Sequence, residues 1–104
     1  MKRSVRVSKS ARREFDILLG QGLDRFGPEL ITEKRNLLLH TLETHIAEYP
    51  RTGIFKRRQK LYHDPIADTP FVVVYEFDEA ELRVLSIIHK RASRKHLDRS
   101  NVQW

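Results

Sequence analysis

The chain has 104 residues, enough for one hydrophobic core and too few for two, and 39% hydrophobic against 33% charged residues suits a soluble globular domain. No apolar run approaches the roughly 20 residues that cross a bilayer, the basic start Met1-Lys2-Arg3 has no apolar stretch behind it, and cysteine is absent. These features exclude a membrane-spanning helix, a disulfide scaffold and thiolate metal sites, argue against export, and make the cytoplasm the expected compartment.

In chain order, Ser4 to Val7 alternates polar and apolar residues, as a short half-buried strand does. Ser8 or Ser10 can cap a first helix whose stripe is Ala11, Phe15, Leu18 and Leu19, with Arg12, Arg13 and Asp16 off it. Gly20 and Gly22 each weaken that helix by roughly 1 kcal/mol relative to alanine, enough to kink or end it before Leu23 and Phe26. Gly27-Pro28 marks a boundary, because proline suits a first helical turn and Glu29 complements the helix dipole. A second helix follows, with Ile31, Leu38, Leu42, Ile46 and Tyr49 on one face, up to the stop at Pro50.

Beyond Thr52-Gly53 the pattern becomes extended from Ile54 to His63, around the cluster Lys56, Arg57, Arg58, Lys60. Pro65 and Pro70 bracket a loop. Phe71 to Phe77 is apolar on both faces and reads as an interior strand; Asp78 to Glu81 turns the chain, and Leu82 to Ile88 returns antiparallel beside it. The expected fold is α+β, two antiparallel N-terminal helices packed on one face of a small, mainly antiparallel sheet, the other face partly open. Residues 1–91 form the single domain, and 92–104 a basic tail able to form a short helix or to dock through Leu97, Val102 and Trp104.

The net charge of +6 is local. Lys56, Arg57, Arg58 and Lys60 have no acid among them, and from His89 to Trp104 five cations, Lys90, Arg91, Arg94, Lys95 and Arg99, stand against Asp98 alone, leaving the rest of the chain net negative. Such patches attract phosphate backbones or acidic protein surfaces. His40 and His45 fall on different helix faces, and His63-Asp64 is too small a set for a metal, so neither a metal nor a cofactor is expected.

The order of elements, the second helix ending at Pro50-Arg-Thr-Gly53, and the closing Phe71-Val-Val-Val-Tyr75 and Val84-Leu-Ser-Ile-Ile-His-Lys-Arg91 resemble the RelE/ParE toxin superfamily over roughly Val5 to Arg91. The resemblance implies a toxin of a type II toxin–antitoxin pair, of the plasmid-stabilisation type, silenced by a small antitoxin with an acidic segment. RelE-like members cut messenger RNA on the ribosome, whereas ParE-like members block DNA gyrase without nuclease chemistry, and the fold does not choose between them.

For a nuclease, His89 would act as acid or base, Arg91 would hold the phosphate, and the Lys56 to Lys60 cations would supply the remaining field. If the chain stays extended, His89 and Arg91 share a face, and Arg83 lies on that same face roughly 20 Å back. RelE-like nucleases resemble one another in an aromatic residue shortly after this strand, where the present chain has Ala92, Ser93 and Arg94. The reading is therefore ParE-like, with Lys56, Arg57, Arg58, Lys60, Tyr62, Lys90, Arg94 and Lys95 as the binding surface, Tyr62 being suited to a nucleotide if exposed beside Lys60.

Overall fold

Val72, Val73 and Val74 leave no polar side on the segment Phe71–Phe77, so it needs cover on both faces. The computed structural model, which describes residues 2–92, 97 and 99–104, provides that cover with helices on one side and the tail on the other. The elements are β1 (Ser4–Val7), α1 (Lys9–Phe26), α2 (Pro28–Thr41), β2 (Ile54–Lys56), β3 (Leu61–Pro65), β4 (Phe71–Phe77) and β5 (Glu81–His89). One five-stranded sheet has the order β1-β5-β4-β3-β2; β1 runs parallel to β5 and every other pair is antiparallel. The fold is α+β, with Ala11, Phe15, Ile31, Leu38, Leu42 and Ile46 burying the helices against Val73, Tyr75, Leu82, Val84 and Ile87.

The first helix starts where β1 stops supporting β5. Pairing with β1 ends at Val7 and Val84, yet β5 continues to His89 with its outer backbone edge unpaired by any strand. Side chains of α1 take over. Ser8 Oγ accepts the Ala11 N–H at 2.9 Å as an N-cap and donates to the Leu85 carbonyl at 3.0 Å. One turn on, the Glu14 carboxylate accepts Ser86 Oγ at 2.9 Å and the Ile87 N–H. Burial pushes the Glu14 carboxyl up, and these two hydrogen bonds oppose the shift.

Neither glycine ends α1, which continues to Phe26. Gly22 is buried where α2 crosses, and any Cβ there would collide with the Ile31 side chain, so the glycine permits the helix contact. Past Thr41 the chain stays helical through a wider turn, Leu42–Ile46, in which the Ala47 N–H reaches back to Leu42. That turn buries Leu42, Ile46 and Ala47 together but leaves Tyr49, expected on the apolar face, 56% exposed against His45.

The stretch Ile54 to His63 is a hairpin rather than one strand. It turns at 57–60, where Lys60 adopts a left-handed φ of 56° and its N–H bonds the Lys56 carbonyl at 2.8 Å. The last two strands also slip. Val74 faces Ser86 and Tyr75 faces Val84, so Leu85 is an extra residue in β5.

The far sheet face is largely closed by the tail. Leu97 and Val102 pack on Leu61, Val74, Leu85 and Ile88, and residues 99–101 make one short helical turn. Gln103 exchanges backbone hydrogen bonds with Ser10, through the Ser10 N–H at 3.2 Å and Ser10 Oγ at 2.9 Å, and pairs with Arg13. Trp104 lies over the Arg6 guanidinium at 5.0 Å.

Tyr75 is fully buried, and its hydroxyl donates to the Pro50 carbonyl at 2.6 Å while accepting the Gly53 N–H at 3.2 Å. Tyr75→Phe keeps the ring and strands both backbone groups, so it should lower the unfolding free energy by about 1–3 kcal/mol in urea titrations. The turn after β4 makes a second measurable contribution. The Arg83 guanidinium, with the Ala80 and Glu81 N–H groups, pulls the Asp78 carboxyl from 3.8 down to about 2. A depressed carboxyl contributes stability above its unfolded value and loses it as pH falls through the folded one. Urea midpoints should therefore fall between pH 3.8 and about 2, and Asp78→Asn should remove that part of the fall.

Candidate functional site: a cationic hairpin

A cation can recruit a partner only if its charge is not already matched. Arg83 is matched, with Glu76 at 3.1 Å, Asp78 at 2.8 Å and Glu81 at 3.3 Å around its guanidinium, which holds it firmly protonated. Arg99 pairs with Glu76 and donates to the Gln59 and Lys60 carbonyls at 3.1 and 2.7 Å, fastening the tail to the hairpin. Lys56, Arg57 and Arg58 have no ion-pair partner among the described residues.

Those three cations line a cleft of about 310 Å³ with Gln59 and His63. Register sets its orientation: Lys56 faces Leu61 and His63 faces Val74, placing Lys56 and His63 on the tail side of the sheet. His63 is 3% exposed, and its Nε2 shares a 2.7 Å hydrogen bond with Gln59 Oε1. The cleft is an anion-attracting surface with an imidazole at its base. Sequence reasoning missed Gln59 and His63 here, having weighed His63 only as a metal ligand with Asp64. The pair is split between faces: Asp64 lies beside Thr52 and Tyr75 on the helix side, and burial raises its carboxyl. Two-residue alternation from Leu61 to His63 was the available signal.

His89 and Arg91 are not part of this cleft. His89 sits level with Phe71 in β4, whereas the hairpin meets β4 near Glu76. The separation is roughly 16 Å along the strands and about 10 Å across them. The faces differ as well. The extra residue Leu85 turns His89 toward α1 and α2 while Arg83 stays on the tail side, so the two do not share a face as uninterrupted alternation predicts. The strand also ends at His89: Lys90 N–H bonds the Pro70 carbonyl at 2.7 Å, Ala92 N–H bonds the His89 carbonyl at 2.9 Å, and Arg91 N–H donates to His89 Nδ1 at 3.0 Å. Arg91 and Lys90 are exposed on that turn, and Lys90 Nζ reaches the Ile66 carbonyl at 2.9 Å.

Tyr62 lies on the helix side, opposite Lys56. It is half-buried, stacked on Tyr75 at 5.5 Å and flanked by Phe55 at 5.0 Å and Phe77 at 5.2 Å, a sheet aromatic rather than an open base platform. Lys60 remains exposed at the hairpin tip. Arg94 and Lys95 lie outside the described residues.

Two cationic groups this far apart should act independently on a polyanion. On a heparin column, Lys56→Ser/Arg57→Ser/Arg58→Ser and Lys90→Ser/Arg91→Ser should each lower the eluting salt concentration. The combined variant should show the sum of the two shifts within roughly a fifth, since charges beyond a Debye length of about 8–10 Å are largely screened from each other.

No family model and no curated protein sequence matches the chain. Solved structures do. One from P. aeruginosa, described as the chromosomal ParDE TA system, contains a chain that superposes with a TM-score of 0.69, covering 85% of this chain and 96% of that one at 14% identity. The chain therefore has the α+β fold found in that ParDE structure, the arrangement expected from its resemblance to the RelE/ParE superfamily.

Proposed function

We propose that this protein is the toxin of a type II toxin–antitoxin pair, ParE-like in action, which inhibits bacterial growth in the cytoplasm by binding DNA gyrase and is neutralised by a small partner carrying an acidic segment. The likeness to the ParDE structure over most of both chains supports the toxin class. Binding rather than cleavage is supported by one observation: His89 and Arg91 stand at the far end of the sheet from Lys56, Arg57 and Arg58, and His89 is on the opposite face, so acid–base and phosphate-holding groups do not converge. The unmatched cations then serve as a contact surface, which raises encounter rates and makes the complex salt-sensitive.

A second reading, a ribosome-dependent endoribonuclease acting on messenger RNA, draws on a different observation: His63 lies at the base of the Lys56–Arg58 cleft. Purified protein should inhibit gyrase supercoiling, and brief induction in a bacterium should arrest growth with messages intact. Changing Lys56, Arg57 and Arg58 together to serine should raise the half-inhibitory concentration roughly tenfold or more. Cuts at fixed codon positions with normal supercoiling would reverse the preference between the two readings.

A further inference from the structure

His89, remote from the cationic hairpin, helps form a different feature. Where α1 and α2 cross above the end of β5 there is a recess of about 100 Å³, the space of roughly three water molecules. Its floor is apolar, made by Leu18, Phe26, Ile31 and Phe71, and its polar lining consists of Gln21, Arg25 and His89, with no carboxylate.

The polar groups are largely unspent. The Arg25 guanidinium lies 5.7 Å from the Phe26 ring centroid with no carboxylate paired to it, and the Gln21 amide has no hydrogen-bond partner among the described residues. His89 uses Nδ1 to accept the Arg91 N–H, which leaves Nε2 as the donor of the neutral ring. The Lys34 ammonium stands 5.3 Å from the same Phe26 ring, and the exposed Lys90 and Arg91 continue the positive field past the rim.

A dry floor the size of one aliphatic side chain, ringed by donors and cations, matches a ligand that carries an apolar group and carboxylates together. We propose that this recess captures an aliphatic side chain from an acidic peptide segment of a protein partner, with the flanking carboxylates held by Arg25 and His89 and by the cations of the Lys90–Arg91 turn. A peptide fits better than a small metabolite because the cationic field extends beyond the recess, where further carboxylates of the same segment would lie. That the partner is a neutralising protein rests on the function proposed above; the chemistry of the recess does not.

The test is titration of the full chain, labelled with ¹⁵N, with acetyl-Glu-Asp-Leu-Glu-Asp-amide at about 50 mM salt. Expected are saturable shifts at Gln21, Arg25, Phe26 and His89. Replacing the leucine of the peptide by glycine should weaken binding roughly tenfold or more. Arg25→Gln should weaken it about fivefold to tenfold. Leu18→Trp, at a half-buried position, should fill the recess and abolish binding while the melting temperature stays within a few degrees. The proposal is overturned if leucine and glycine peptides bind alike, if shifts appear at Lys56 to Lys60 instead, or if a folded Leu18→Trp protein binds undiminished. A protein that inhibits gyrase but ignores the peptide removes only the recess proposal; one that binds the peptide but spares gyrase removes only the gyrase reading.

Discussion

A strand without a polar face needs two covers, and the rest of this small molecule follows from that requirement at β4. Val73 and Tyr75 face the helices, while Val74 faces Leu61, Leu85 and the tail residues Leu97 and Val102. A helical pair can close only one side of a sheet, so the remaining apolar surface must be shielded by the end of the chain. The tail is thus part of the packing, secured by Arg99 at the hairpin and by Gln103 at the start of α1. Its position also divides the far face into a closed portion over β4 and β5 and an open portion at β2 and β3, where the Lys56–Arg58 cleft lies.

Charge is distributed by the same geometry. Cations that sit beside Glu76, Asp78 or Glu81 are consumed in holding the β4–β5 turn and the tail, and have little left for a partner. Those at the hairpin tip and past the end of β5 are beyond reach of these acids. The result is two separate attractive surfaces on one domain, one shallow and strongly cationic, the other a small apolar recess with a polar lining. Having two sites allows a target and a neutralising partner to be recognised by different chemistry.

Element types were legible wherever hydrophobic period was unambiguous. Val5 and Val7, the Ala11–Phe15 stripe, the Gly27-Pro28 break and the apolar run of β4 each have one good structural solution. What escaped the sequence depended on partners distant in the chain. Nothing near Gly22 announces that Ile31 will lie against it, and nothing near Glu14 announces an unpaired stretch of β5 that needs an acceptor. The site suffered most from a single residue. Leu85, inserted between the rows facing Val74 and Tyr75, reverses the face of everything after it, so a correct strand assignment still put His89 and Arg83 on the wrong common side. The hairpin was hidden for a related reason: Lys60 adopts a left-handed conformation with no glycine to advertise it.

The cation–π contact between Arg6 and Trp104 joins the outermost strand of the sheet to the last residue of the chain. Trp104 is the sole tryptophan, so intrinsic fluorescence excited at the indole reports one place alone. Its emission maximum, quenching and anisotropy register whether the tail is seated, independently of the rest of the fold. The protein thereby carries a built-in optical gauge of the cover over its second sheet face.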